Sequence, residues 1–385
     1  MSSPTKSGDA SPSASSPTQT ATHSSAPTPP ATSTPVETSA PPPADPLAGW
    51  TVEQKVGQLL MVGVDVASAQ QASYDAISTY HVGNLFLAGR THAGTDRVRN
   101  LVDSFTRLVS PATTNGQPLF VATDQEGGLV QVLQGPGYDA IPTAMDQAGL
   151  APGALQTDAA KWGAELATSG VNLNLAPVMD LVPSAADAPN NPPIGYYHRN
   201  YGYTADDVTS HANAFSAGME AAGVDVAIKH FPGLGRVTAN TDTTAGVTDT
   251  ITTRTDPSVG IFTSGVAAGA SFVMMSTAIY SLIDPSAPAA FSPVVVGDLL
   301  RGDLDFGGVV ITDDVSKAVQ VQAWAPGDRA VLTIEAGGDM VLASADPTVI
   351  PAMATALVAK AKADPAFAAK VDAAVLRVLA AKKSL

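Results

Sequence analysis

From about residue 50 onward the chain repeats one pattern: a short apolar run rich in Val, Ile, Leu and Met, then a longer segment whose apolar residues recur three and four apart. Such runs suit parallel strands covered on both faces, and the segments between them suit amphipathic helices packed on the sheet. Eight runs are present, at residues 58–62, 82–87, 119–122, 171–175, 224–228, 272–275, 308–311 and 339–342. Helical spacing is clearest at residues 158–168, 205–222 and 292–300, and two strongly helical segments follow at 354–362 and 368–382. Eight strand–helix repeats predict an α/β fold, a single-domain (β/α)8 TIM-like barrel over residues 46–385 with the last helices on its outside. A doubly wound open sheet is the competing arrangement, but no glycine-rich phosphate fingerprint follows the first strand.

Residues 1–45 differ in kind. They are almost entirely Ser, Thr, Pro and Ala, with Val36 as the one β-branched aliphatic residue. Such a segment cannot bury enough apolar surface to offset its ordering entropy, so it is expected to be a disordered tether. Its composition suggests an exported protein, extracellular or held to the cell envelope, with any membrane contact made through an N-terminal lipid anchor. The chain has no cysteine, which excludes disulfides, thiolate metal sites and a cysteine nucleophile. A formal charge of −15 argues against a nucleic-acid partner. The expected state is a monomer.

In a barrel the residues just past each strand line one mouth, so chemistry is sought there. The third run leads into Asp124-Gln125-Glu126-Gly127-Gly128 and the fourth into Asn174 and Asp180. The fifth leads into Lys229-His230-Phe231-Pro232-Gly233-Leu234-Gly235, read as a turn after the strand, with Asp242 seven residues further on. The sixth reaches Ser276 and the seventh Thr312-Asp313-Asp314. One acidic residue at such a place is commonly a helix cap. Several carboxylates around one mouth, with a Lys-His pair and no cofactor loop, suit hydrolysis of a glycosidic bond: one carboxylate attacks or stabilises the anomeric carbon while a second group protonates the leaving oxygen. A metal hydrolase using His230, Asp124 and Asp313 is the alternative, although no HxH or HExxH spacing supports it. No metal and no cofactor are implied.

These residues resemble glycoside hydrolase family 3. The likeness rests on Lys229-His230-Phe231-Pro232-Gly233, on Asp124-Gln125-Glu126-Gly127-Gly128, on Asn172 through Asp180, and on Gly308 through Asp314, all in matching order. It is strongest toward bacterial β-N-acetylglucosaminidases of cell-wall recycling. The resemblance implies an exo-acting, retaining β-glycosidase working through a covalent glycosyl-enzyme on a carbohydrate partner such as cell-wall glycan. Asp313 falls on the nucleophile position, and Asp124, Arg199, Lys229 and His230 fall on positions that hold the terminal sugar. Lys229 near Asp313 would keep that carboxylate ionised. Asp314 is expected to be a supporting acceptor and Asp180 a cap.

The chain departs from that pattern in one loop. Asn240-Thr241-Asp242 stands where the recycling enzymes carry Asp-Ser-His, the His being their acid/base. Asp242 is therefore expected to be the proton donor, its pKa raised by burial and by Asp313, with Asn240 holding it by a hydrogen bond. The alternatives are a donor at Glu126 or from another chain, a slow enzyme or non-catalytic carbohydrate-binding relic, or a transglycosylase or phosphorylase. Leu234 and Leu129 replace a His and an Arg of the recycling enzymes, which opens a neutral hexoside or a pentoside as substrate. Loop 235–250, rich in Gly and Thr, is expected to close over the substrate.

Overall fold

In the computed structural model, residues 16–23, 26 and 45–385 are described. Most of the tether expected over residues 1–45 lies outside the described residues. The eight expected strands all form: β1 (Leu60–Asp65), β2 (Asn84–Ala88), β3 (Phe120–Thr123), β4 (Leu173–Asn174), β5 (Asp225–Phe231), β6 (Phe272–Met275), β7 (Val309–Thr312) and β8 (Val341–Ala343). They pair in parallel in the order β7-β6-β5-β4-β3-β2-β1-β8. A parallel bridge between Ile311 and Met340, with Thr312 N donating to Met340 O at 3.0 Å, brings β7 beside β8 and closes the ring. That closure removes the open doubly wound sheet from consideration.

Three boundaries differ from expectation for local reasons. Gln58 ends a helix (Val52–Gln58) rather than opening β1, because Thr51 and Gln54 form a reciprocal cap: Gln54 N donates to Thr51 Oγ1 at 3.1 Å and Thr51 N to Gln54 Oε1 at 3.2 Å. β5 runs on through Phe231, so Lys229 and His230 belong to the strand and not to a following turn. The segment expected as an α-helix over 292–300 winds instead as a π-helix, Val294–Asp303, in which Gly297 and Gly302 weaken the α register.

The core is the barrel interior and the layer beneath the helices. Val226, Ala227 and Ile228 of β5 are fully buried, at about 1.5–3 kcal/mol for each large side chain removed from water. Helices Pro152–Thr168 and Ala205–Ala221 pack closely because two glycines face the contact. A Cβ on Gly218 would lie 2.4 Å from Gln156 O, and one on Gly163 would lie 2.9 Å from Ala222 Cβ.

Candidate active site

The site begins with a bulge in β5. Lys229 pairs with Met274 of β6 and Phe231 with the next residue, Met275, so His230 is an extra residue in the strand. Neighbouring strand residues ordinarily face opposite ways, and the bulge lets both Lys229 and His230 line one cavity. That cavity, of about 220 Å³, is also lined by Asp124, Arg199, Asn240, Asp242 and Asp313, with apolar wall from Phe86, Val130, Leu234, Met274 and Leu342. Thus all six residues expected to act on or bind the sugar meet in one place, with Asn240 beside them. Asp314 does not line it.

Lys229 is buried between two carboxylates, with Nζ 2.7 Å from Asp124 Oδ1 and 2.6 Å from Glu126 Oε1. Burial opposes its charge, but the two anions outweigh that and raise its pKa. Arg199 grips Glu126 with two hydrogen bonds, Nε to Oε2 at 2.8 Å and Nη2 to Oε1 at 2.7 Å. Burial alone would raise Glu126, yet Arg199 and then Lys229 hold its carboxyl down at about 2. Glu126 is therefore no proton donor near neutral pH, which corrects one alternative. Asn174 at the end of β4 keeps this segment in place: its Oδ1 accepts from Gln125 N at 3.0 Å and its Nδ2 donates to Gln125 O at 3.1 Å.

Asp180, expected to be a cap, is instead the buried partner of His230. Its Oδ2 accepts from His230 Nδ1 at 2.7 Å, and its Oδ1 accepts from His230 N at 3.1 Å and Leu234 N at 2.7 Å. Because a carboxylate only accepts, Nδ1 carries the proton and Nε2 is the ring nitrogen left for a substrate. The sequence marked Asp180 only as a strand-exit acid; its contact with His230, fifty residues away, comes from the fold.

Asp313 lies just past β7, where its backbone N–H donates to Met275 O at 3.0 Å and its Oδ1 accepts from Asp314 N at 2.7 Å. Lys229 is committed to Asp124 and Glu126 and makes no ion pair with Asp313 among the described residues. Burial raises the Asp313 pKa; the fields of His230 and, more weakly, Lys229 favour its ionised form, as expected of Lys229, but do not outweigh burial. Asp314 ties the β7 exit to the β8 exit, its Oδ1 accepting from Ser316 Oγ at 2.6 Å and Ser344 N at 2.8 Å.

Asp242 stands exposed at the cavity mouth. Its carboxyl is pushed up to about 6, first by lost hydration and then by the charges of Asp313 and Asp314. Asn240 holds the backbone of Asp242 and not its carboxyl: Asn240 Oδ1 accepts from Asp242 N at 2.8 Å. Among the described residues no group of three His, Asp or Glu side chains is placed to hold one metal ion, so the metal-hydrolase reading gains no ligand set. The arrangement can present two carboxylates to a bond while a ring of donors grips the group on one side of it.

Comparison with known proteins agrees with this geometry. The sequence profile of the glycosyl hydrolase family 3 N terminal domain matches residues 51–381. A crystal structure of a β-N-acetylhexosaminidase from Beutenbergia cavernae superposes with a TM-score of 0.87 at 64% identity, covering 87% of this chain and 99% of that one. A family 3 β-N-acetylglucosaminidase from Paenibacillus sp. superposes at 0.77 with 29% identity, over 87% of this chain and 62% of the other. A β-hexosaminidase of Stenotrophomonas maltophilia is 31% identical over 293 residues, 74% of this chain and 82% of the relative. On the match of profile, sequence and fold, the chain belongs to glycosyl hydrolase family 3 and is a glycoside hydrolase acting on O-glycosyl bonds.

Proposed function

We propose that the protein removes a terminal β-N-acetylhexosamine from a glycan by a retaining, two-step mechanism. One observation carries the mechanism: of the three carboxylates that line the cavity, Asp124 is ion-paired, whereas Asp313 and Asp242 form no ion pair with any described residue. Asp313 accepts a backbone N–H, which favours its ionised form, and Asp242 has the raised pKa of a proton holder. Asp313 attacks the anomeric carbon as the bond to the leaving oxygen breaks, and Asp242 gives its proton to that oxygen. Water then attacks the glycosyl-enzyme, Asp242 takes the water's proton, and the Asp313 carboxylate departs. Lys229, with two of its three N–H groups on carboxylates, has one for a sugar hydroxyl, beside Arg199, His230 Nε2 and Asp124.

The sugar is proposed from the relatives, since proteins described as β-N-acetylhexosaminidases share up to 64% identity with this chain. Export is proposed from the composition of residues 1–45, and fractionation of the producing cell tests it. The substrate and acid assignments are tested with aryl β-glycosides of N-acetylglucosamine, glucose and xylose, each with a good and a poor leaving group, on wild type and Asp242→Ala. Hydrolysis confined to the N-acetylglucosaminide, with the variant impaired on the poor leaving group by about 10²-fold or more and far less on the good one, is expected. Equal loss on both leaving groups would reject Asp242 as the acid, and turnover of another sugar alone would reject the hexosaminide.

A further inference from the structure

The residue proposed as acid sits in loop 235–250, which contains no helix and only the strand pair at Thr248–Asp249. A loop of that composition would be expected to need closure over substrate. Here it is already fastened, and the fastening comes from the segment that follows Asp313. Val319 N donates to Asp242 O at 3.1 Å, and Gln320 N donates to Thr241 O at 3.0 Å. The Gln320 side chain then grips the far side of the same loop through both halves of its amide: Oε1 accepts from Val247 N at 2.8 Å, and Nε2 donates to Val247 O at 3.1 Å. Gln320, Thr241 and Val247 are all buried, so these bonds are shielded from water.

The segment is itself anchored. Arg329 Nη1 donates to Val315 O at 2.8 Å and Ser316 O at 2.9 Å, and its Nη2 donates to Gln322 Oε1 at 2.9 Å. Asp314 lashes the start of the segment to Ser344 beyond β8. A single stretch of chain, residues 313–322, therefore carries Asp313 at one end and holds Asp242 from the other.

We propose that Gln320 is a positioning residue that sets Asp242 against the leaving-group side of the cavity, so that the acid is delivered by a fixed strap rather than by a closing loop. This rests on the assignment of Asp242 as acid. The physical basis is orientation: displacing a proton donor by about 1 Å costs on the order of 10²-fold in rate. Gln320 reaches substrate only through Asp242, so its removal should slow glycosylation by a poor leaving group, which needs the proton, and spare glycosylation by a good one, which does not.

Wild type, Asp242→Ala, Gln320→Ala and Gln320→Glu are compared on a 2,4-dinitrophenyl and a methyl β-N-acetylglucosaminide, with circular dichroism as the check of folding. Gln320→Ala is expected to lower kcat/KM, which reports glycosylation alone, by about tenfold or more for the methyl glycoside while kcat/KM for the dinitrophenyl glycoside changes less than about threefold. Gln320→Glu keeps the acceptor for Val247 N, loses the donor to Val247 O, and should fall between. If Gln320→Ala does not fold, Gln320→Glu carries the same comparison against wild type. A Gln320 variant that matches wild type, or that loses equally on both substrates, overturns the proposal while Asp242→Ala still shows leaving-group dependence. Absence of that dependence in Asp242→Ala overturns the acid assignment itself, a separate failure.

Discussion

Two lysines are buried in this barrel, one at each end, and they meet opposite fates. Lys229 at the mouth is 2% exposed and lies between Asp124 and Glu126. Its charge is kept, and its pKa is raised against burial. Lys382, at the floor, is 3% exposed, and its Nζ meets two neutral acceptors, Gln58 Oε1 at 2.7 Å and Gly83 O at 2.8 Å, under the ring of Phe120. No carboxylate pairs with it among the described residues, and burial brings its pKa down to about 7. Two acceptors match the two N–H bonds of a neutral amine; a third, on an ammonium, would face only the Phe120 ring. Burial alone thus does not decide whether a lysine is charged. The mouth collects charges of both signs because it must grip a polar sugar, while the floor only has to be filled.

The largest effect should come from Asp313, the half-buried cavity carboxylate that the mouth leaves without a cation among the described residues. Asp313→Asn is expected to lower kcat by at least about 10⁴-fold on every aryl glycoside, the scale of losing a covalent nucleophile. Because burial disfavours the Asp313 charge, the variant should unfold at the same or higher denaturant concentration than wild type. A variant with more than a tenth of wild-type kcat would remove Asp313 from the mechanism.

The second effect is read in pH. With the Asp242 carboxyl at about 6, kcat/KM for a poor leaving group should fall about tenfold per unit above that pH, as the donor loses its proton, and should fall again toward lower pH as the nucleophile Asp313 takes one. The descending limb should vanish in Asp242→Ala. If it persists at the same pH in that variant, another group supplies the proton.

How much of this contrast could be read from the chain alone depends on the reach of each contact. The eight strands were legible because each is a short, local apolar run, and the mouth residues because they directly follow those runs. The bulge at His230 was not, since an extra residue shows only against the partner strand. The roles of Asp180, Glu126 and Gln320 were illegible for one reason: their partners His230, Arg199 and Val247 lie 50, 73 and 73 residues away. Val319-Gln320-Val321 shows only a polar residue between two apolar ones, with nothing to point toward the loop. Lys382 read as the end of an ordinary exposed helix.

The two lysines can then be set against each other directly. Lys229→Met leaves Asp124, 30% exposed at the cavity wall, and the buried Glu126 without their shared cation, although Arg199 still pairs with Glu126. Breaking a buried pair costs about 3–5 kcal/mol, and the surviving Arg199 places this variant near the lower figure. Its denaturation midpoint should fall and its activity should be lost with it. A midpoint equal to that of wild type would mean that the Lys229 charge contributes nothing to folding.

Lys382→Met should do the reverse. Methionine fills a similar volume, has no charge to desolvate, and leaves two acceptors, of which only the Gly83 carbonyl is backbone. The pH dependence separates the charge from the packing. Between about pH 7 and 10.5 the unfolded chain holds a proton on Lys382 that the folded chain does not. Wild-type stability from this group therefore rises with pH by up to about 1.4 kcal/mol per unit across that window, and is constant below it, where both states are protonated. Every other titrating group is common to wild type and variant, so its contribution cancels in their difference, and the buried tyrosines Tyr138, Tyr201 and Tyr280, whose pKa values are raised, weaken the fold only above about pH 10. Urea denaturation of wild type and Lys382→Met at pH 7 and pH 9 thus isolates one group. Wild type should gain about 2 kcal/mol relative to the variant between the two pH values. A constant difference would mean that Lys382 stays charged at the floor, and the contrast between the two ends of the barrel would then lie in their partners and not in their protonation.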